Sequence, residues 1–239
     1  MKAFFLLVAV ALLGSNAAAA GETFHRQLDG RALELEEVYY ENFSEGMENW
    51  LVEGNAAASV REGWLDVDGA CGEGGYATVW CRTPFEGPQL VEYDIRMMSV
   101  SRQSNINMFL MAANPDTDGL IATTGDRNGF YPQYHKFPNY LITILNNTSP
   151  DKREQLRVRM RLNPGFKLVS EQWHEPLVFG KVHHVAYLIE PPRVNVFLDG
   201  NLIGRTEYDK TYTSGLHGLR IWRTHSIYDN FRVSRIVER

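Results

Sequence analysis

Val194-Asn195-Val196-Phe197-Leu198-Asp199-Gly200-Asn201-Leu202-Ile203-Gly204 sets a polar turn, Asp199-Gly200-Asn201, between two apolar runs. Asp-Gly tolerates the left-handed backbone that a short antiparallel connection needs, so the stretch predicts a β-hairpin. Pro191-Pro192 lies just upstream. Proline has no backbone donor, so a new strand is expected to start after the pair. Outward from here the same punctuation recurs, with runs rich in Val, Ile, Tyr, Phe and Thr between clusters of Gly, Pro, Asn and Asp. The predicted strands are Glu37 to Phe43, Trp64 to Val67, Ala77 to Arg82, Leu90 to Ser99, Asn105 to Ala112, Tyr140 to Asn146, Leu156 to Leu162, Lys167 to Gln172, His183 to Ile189, Arg193 to Leu198, Leu219 to Arg223 and Asp229 to Ile236. With no long amphipathic helix to cover a sheet, two packed sheets must bury these apolar faces. The predicted fold is therefore all-β, a two-sheet antiparallel jelly-roll β-sandwich. No internal repeat points to a propeller or solenoid.

The chain has 239 residues, 44% hydrophobic and 12% aromatic, a globular composition rather than a disordered or collagenous one. Lys2, the apolar run Ala3 to Leu13 and Ala18-Ala19-Ala20 before Gly21 match a secretory signal peptide over residues 1–20. That run is too short to span a bilayer and no later run is longer, so the processed protein is expected to be soluble and secreted or periplasmic. Gly21 to Leu35 is polar and aperiodic; residues 21–36 read as an N-terminal arm on a single domain at 37–239. With 24 Lys and Arg against 29 Asp and Glu, a net charge of -5 argues against nucleic acid as a partner. Cys71 and Cys81 flank a Gly-rich turn, and in an oxidising compartment they form either a local disulfide or two buried thiols. The sequence has no P-loop, dinucleotide fingerprint or G-x-S-x-G elbow. Sequons begin at Asn42, Asn146 and Asn147.

Four stretches taken together, Asn139 to Asn147, Arg157 to Gly165, Val194 to Gly200 and Gly218 to Val233, resemble the YesU-like family of secreted or carbohydrate-locus proteins. The resemblance covers Tyr39 to Ile236. It implies a fold similar to the concanavalin A-like lectins and glucanases, whose concave sheet holds glycans, and a setting in pectin and rhamnogalacturonan degradation. It supplies no reaction, because a fold marks no chemistry. The superfamily resemblance also implies a structural Ca²⁺ near the first and last strands, where Glu41 and Asp229 offer hard oxygen ligands. No other cofactor is expected.

Candidate chemistry follows from alternation along strands, which puts every second residue on one face. Glu92, Asp94 and Arg96 share a face. Laminarinase-like enzymes of the resembled fold carry Glu-x-Asp-x-Glu there, and Arg96 in place of the second glutamate disfavours their two-carboxylate mechanism. Arg157, Arg159 and Arg161 also share a face, with Asn163 just beyond. Three guanidiniums in a row repel unless an anion lies among them. Either they pair with Asp94 or Glu92, or they clamp a uronate carboxylate, which the planar fork of arginine fits. Arg96 and Asn107 join Arg159 and Arg161 as candidate substrate contacts.

The loop Phe130-Tyr131-Pro132-Gln133-Tyr134-His135-Lys136-Phe137-Pro138-Asn139-Tyr140 packs aromatics, a histidine and a lysine between prolines. It reads as a catalytic loop, a sugar-stacking platform or a hydrophobic tuck under the sandwich. In the catalytic version His135 is the base and Tyr134 or Tyr140 the acid of a metal-free β-elimination, with Arg159 or Arg161 on the carboxylate. Trp222, Arg223, His225 and Tyr228 cluster near the C-terminus. Trp222 and Arg223 alternate, so one of the two is expected to face the core and the other a sugar, with His225 a second acid or base. His183 and His184 point to opposite faces of a strand and cannot chelate one zinc. The sequence thus predicts an exported carbohydrate-active protein acting on an acidic polysaccharide or oligosaccharide, as a polysaccharide lyase or, less favoured, a glycoside hydrolase. The alternative is a non-catalytic, lectin-like carbohydrate-binding protein.

Overall fold

The computed structural model describes residues 21, 23–70, 75–113, 119–121, 125, 127–146 and 155–237, with the backbone alone at 99–105 and 146. The signal expected at residues 1–20, Cys71 and most of the sequons at Asn146 and Asn147 lie outside the described residues. The strands are β1 (Thr23–Leu28), β2 (Arg31–Glu41), β3 (Trp50–Gly54), β4 (Ala57–Arg61), β5 (Trp64–Asp68), β6 (Tyr76–Cys81), β7 (Phe85–Glu86), β8 (Gln89–Ala112), β9 (Asn139–Asn146), β10 (Leu156–Asn163), β11 (Lys167–His174), β12 (Val182–Glu190), β13 (Arg193–Leu198), β14 (Asn201–Glu207) and β15 (Ser214–Ile236). A short 3-10 helix, Tyr131–Lys136, interrupts the loop before β9. No helix among the described residues is long and apolar enough to cross a membrane.

Two long strands organise the rest. β8 and β15 pair along nearly their whole length and serve both layers of the sandwich. In the back layer the order is β1-β2-β15-β8-β12-β13-β14. In the front layer the other halves of the same strands give β3-β6-β15-β8-β9-β10-β11. All pairings are antiparallel, as expected of a jelly-roll. The sequence splits each long strand in two because polar residues such as Thr224 and Ser226 mark the bend. Both are fully buried there, inside a strand. Register shifts accompany the bend, and Arg223 and Asn230 adopt left-handed backbone at φ 53 and φ 52, the mark of bulges that turn a strand from one layer into the next.

The hairpin that Asp199-Gly200 predicts is present between β13 and β14, with both turn residues at positive φ. The residues read as an arm form a second hairpin, β1 and β2, joined at Asp29-Gly30. It lies across the outside of the back layer, since Asp29 pairs with Arg205 on the far strand β14 and Arg31 with Glu190 on β12. Between it and the layer, Leu35 of the hairpin packs with Leu90, Leu188 and Phe197, all wholly buried. The main core lies between the layers, where Tyr93, Ile95 and Tyr187 of the back meet Ile106, Ile142 and Val158 of the front. Cys81 is a buried free thiol in this core, and Cys71, its expected partner, lies outside the described residues.

His217 is fully buried and stacks on Phe85 at 4.9 Å. The Met111 amide donates to its Nδ1, which leaves Nε2 to donate to the Gln89 carbonyl oxygen at 2.9 Å. Only the neutral ring fits, and burial pushes its pKa down to about 3 from 6.5. An unfolded chain binds this proton first, so stability is lost as pH falls below 6.5 toward 3. We expect melting temperatures to drop across that window by an amount worth on the order of a few kcal/mol, and His217→Gln to flatten the drop. An equal acid loss in the variant would assign the effect elsewhere.

Candidate functional site

The front layer turns one set of side chains into the core, among them Val79, Ile106, Met108, Ile142, Val158, Met160 and Ile221. Their sequence neighbours therefore form the outer, front face. Cross-strand register arranges these neighbours in rows perpendicular to the strands. A polar row runs Glu53, Thr78, Arg220, Asn107, Thr143, Arg159, Glu171 from β3 to β11. On one side of it lies an apolar row with Leu51, Trp80, Gly218, Phe109, Leu141 and Arg161. On the other, the partly exposed Tyr76, Trp222, Arg157 and Trp173 form a row with the buried Leu145.

The loop carrying the 3-10 helix seals the apolar row. Trp80 stacks on Phe109 at 5.3 Å, and Tyr134 packs on both rings. Gly218 makes this possible, because a Cβ there would come within 2.5 Å of the Trp80 ring. Glu53 fixes the loop from below: its buried carboxylate accepts from Arg127 at 2.7 Å, from the Tyr134 hydroxyl at 2.7 Å and from the Trp80 ring nitrogen at 3.0 Å. Arg127 in turn donates to the Leu120 carbonyl. Such a pair survives burial because every charge is met by hydrogen bonds.

The polar row is different, because its charges and amides are left open. Asn107 is 1% exposed, and both atoms of its side-chain amide lack a hydrogen-bond partner. The Thr143 hydroxyl and the Nε atoms of Arg159 and Arg220 are likewise buried and unpartnered. Arg159, Arg161 and Arg220 form no ion pair with any described residue, whereas Arg157 approaches Glu171 at 3.7 Å. Burial, followed by the neighbouring Arg157 and Arg161 charges, lowers the Arg159 pKa to about 10; burial alone lowers Arg220 to about 10. Both remain charged at neutral pH.

Tyr131 and His135 overhang this row from the loop. The Arg220 guanidinium sits 4.1 Å from the Tyr131 ring centre, and the charges of Arg161 and Arg159 also act on the phenol. His135 stacks on Phe166 at 3.8 Å and meets Tyr131 edge-on at 4.6 Å. Its Nε2 is buried without a partner. Burial first, then the charges of Arg220 and Arg161, push its pKa down to about 4, so the ring is neutral at neutral pH. The arrangement offers a neutral imidazole and a phenol beside an unneutralised guanidinium cluster, a setting that favours an anionic ligand and proton transfer at its edge.

A family model described as a domain of unknown function, DUF6250, matches residues 72–231. The chain belongs to the DUF6250 family. A comparison with curated proteins finds no match. Among solved structures, a Bacillus subtilis protein of unknown function with a galectin-like fold superposes with a TM-score of 0.72 at 18% identity, over 86% of this chain and 100% of that one. A carbohydrate-binding module from Bacillus subtilis, CBM66, gives a TM-score of 0.53 at 15% identity, over 78% of this chain and 96% of that one. The endo-β-1,3-glucanase of Pyrococcus furiosus gives 0.57 at 12% identity, over 90% of this chain and 99% of that one. At such identities the likeness is one of fold.

Within this DUF6250 chain the structure brings together only part of the expected site. His135, Arg159, Arg161 and Asn107 share the front face, with Trp222 on the partly exposed row. Tyr134 is buried against Glu53 and cannot reach a ligand. Tyr140 points into the core, stacked on Tyr208 at 4.5 Å, with its hydroxyl held by Lys210 and Tyr212. Tyr228 is a core residue as well. His225 sits at the bend on Asp66, and Arg96 lies near Trp64 on the outside of the back layer, both away from the row. Glu92 and Asp94 also face outward from the back layer, where they hold His184. The core separates them from the arginines, so the expected pairing does not occur. Neither Trp222 nor Arg223 faces the core, because the bulge at Arg223 breaks the alternation and lays its guanidinium 4.8 Å from the Trp222 ring. His183 and His184 take separate partners, Asp199 and Asp94.

Glu41 and Asp229, the expected calcium ligands, take different partners. Asp229 stands opposite Asp94 on the outer face, while Glu41 hydrogen-bonds the Phe43 amide and turns to the Tyr39 side, among core residues. No cluster of three or more His, Cys, Asp or Glu suited to a metal occurs among the described residues. The sequence reading missed Tyr131, Arg220, Thr143 and Glu53. A usable signal existed for Arg220, which stands between Leu219 and Ile221 just as Arg159 stands between Val158 and Met160.

The Glu53 network supplies a test of how the site is held. Glu53→Ala removes the carboxylate that Arg127 meets in the interior, at a cost of about 3–5 kcal/mol. The urea unfolding midpoint should fall accordingly, with Glu53→Gln intermediate. An unchanged midpoint would mean that the loop is anchored by its apolar contacts alone.

Proposed function

We propose that this protein binds an acidic saccharide on the front face and cleaves it by β-elimination. The observation that carries the reading is the convergence of Arg159, Arg161 and Arg220, none paired with a carboxylate among the described residues, beside a neutral His135. A uronate carboxylate supplies the missing anion and suits the forked donor of arginine. Carbohydrate-directed structures of the same fold, the binding module and the glucanase, support the ligand class. The YesU-like resemblance and export from the cell belong to the same reading.

In this scheme His135 Nε2 removes the proton from the carbon next to the carboxylate, whose growing charge the arginines offset. The electron pair forms a ring double bond as the bond to the glycosidic oxygen breaks. Tyr131, in place of the buried Tyr134 and Tyr140, gives its hydroxyl proton to that oxygen, and Arg220 stabilises the tyrosinate left behind. The proton on His135 then restores Tyr131. Hydrolysis by two carboxylates finds less support, because the front-face carboxylates among the described residues are Glu53, which is locked to Arg127, and the rim residue Glu171. A lectin-like role without chemistry rests on a different observation, the partly exposed Tyr76, Trp222 and Trp173 beside the arginines, which are suited to stacking on sugars.

One experiment separates these. The purified protein is incubated with pectic, rhamnogalacturonan, alginate and ulvan-type polymers while ultraviolet absorbance of an unsaturated uronate is followed and binding is measured by calorimetry. We expect His135→Ala and Tyr131→Phe to lose turnover by about 10²-fold or more with binding kept. Arg159→Ala should weaken affinity for uronates and leave neutral glycans unaffected. The acid limb of kcat/KM should lie near the lowered His135 pKa of about 4 rather than near 6.5, activity falling as the base becomes protonated. Binding without absorbance change would favour the lectin-like reading, and full turnover in His135→Ala would overturn the assigned base.

A further inference from the structure

We infer that Phe166 is the positioning residue of the front-face site, a single ring that sets His135, Arg161 and Tyr131 at fixed spacings from one another. This rests on the reading of those three as base, carboxylate clamp and acid, and adds what holds them in register. The His135 imidazole stacks on the Phe166 ring at 3.8 Å with only 18° between the planes. The Arg161 guanidinium lies 4.1 Å from the same ring centre. Two flat groups at such distances cannot share one face of a ring without overlapping, so the imidazole and the guanidinium take opposite faces. Tyr131 meets the ring edge-on, at 5.5 Å and 88°.

The backbone bears this out. Phe166 lies in the turn between β10 and β11 at φ 57, a left-handed conformation that favours Gly or Asn over a bulky side chain. Such a conformation persists where the surroundings hold it. Here the Phe166 amide donates to Asn163 Oδ1 at 2.9 Å, Asn163 donates to Asn139 Oδ1 at 3.0 Å, and Asn139 donates to the Phe137 carbonyl at 2.8 Å. Both asparagines are buried. The Gly165 amide donates to the His135 carbonyl at 3.0 Å, and Arg161 donates to the Phe166 carbonyl at 3.3 Å. The turn is thus tied to the loop of His135 and to the side chain of Arg161 through its backbone as well as through the ring. The reaction gives this spacing its meaning. The proton to be removed sits on the carbon next to the carboxylate, so base and clamp must reach neighbouring carbons of one sugar at the same time. With the phenyl ring between them, the guanidinium cannot collapse onto the imidazole.

Titration of His135 by NMR, together with kcat and KM on the cleaved polymer, tests this in Phe166→Ala, Phe166→Leu and Phe166→Tyr. The charges facing His135 are Arg220 from β15 and Arg161 from β10, with the Tyr131 phenol from its own loop; Phe166 adds cover and no charge. Loss of the flat cover in the Ala and Leu variants should raise the His135 midpoint from about 4 by about one pH unit or more toward 6.5, and the acid limb of kcat/KM with it. Turnover should fall by about tenfold or more. Phe166→Tyr keeps the ring and should restore both. A loss of thermal stability with titration and kcat unmoved would mark a structural role alone, overturning the positioning role and leaving the lyase reading standing. If the wild-type protein cleaves none of the polymers, the lyase reading fails and the titration decides for Phe166 alone. A midpoint that rises in the Ala and Leu variants and returns in Phe166→Tyr then supports the ring as the seat of His135, and one that stays near 4 overturns it.

Discussion

The pairing of β8 with β15 is the constraint on which everything else rests. Both strands run through the bend between layers, so each contributes one half to the back layer and the other to the front. The layers cannot slide against each other without breaking that central ladder. Every other strand takes its position from one of these two halves. The bulges at Arg223 and Asn230 decide where the ladder turns, and thereby which residues of β15 face outward on each layer.

The front face inherits its order from this ladder. Arg220 and Asn107 are cross-strand partners in it, and β9 and β10 extend the same row to Thr143 and Arg159. The loop then adds Tyr131 and His135 from above, positioned by a carboxylate, Glu53, that has no contact with the arginines of the row. Two electrostatic solutions stand side by side. At Glu53 the charge is buried and fully matched, which fixes geometry; at Arg220 it is buried, and at Arg159 half-buried, without a carboxylate among the described residues, which is costly to the fold unless something anionic arrives.

Much of the fold was legible in local sequence. The Asp199-Gly200 turn, the Pro191-Pro192 boundary and the alternation in β9, β10 and β12 all give strands close to those observed. The strands β1, β3 and β4 were not read, because Glu, Arg, Ser and Gly dilute their alternation. The site was legible only in part for a different reason. Alternation tells which residues share a face of one strand, and so grouped Arg157, Arg159 and Arg161 correctly. It cannot follow a strand through a bulge or a bend, which is why Trp222 was set against Arg223, and Glu92 and Asp94 were placed beside arginines that lie across the core. Nor does an aromatic loop reveal which ring is packed and which is presented: the 3-10 turn sends Tyr134 inward to Glu53 and leaves Tyr131 over Arg220.

The hairpin of β1 and β2 gives the molecule a single working side. By packing Leu35 against Leu90, Leu188 and Phe197, and by tying Arg26 to Glu92 and Asp29 to Arg205, it converts part of what would be a second open sheet surface into interior. The roof is built from β1 and β2, at the start of the described residues. A recombinant form begun at Glu37, where sequence alone would place the domain boundary, would bare a continuous strip of leucine and phenylalanine on an otherwise finished sandwich, and such a strip draws molecules into aggregates.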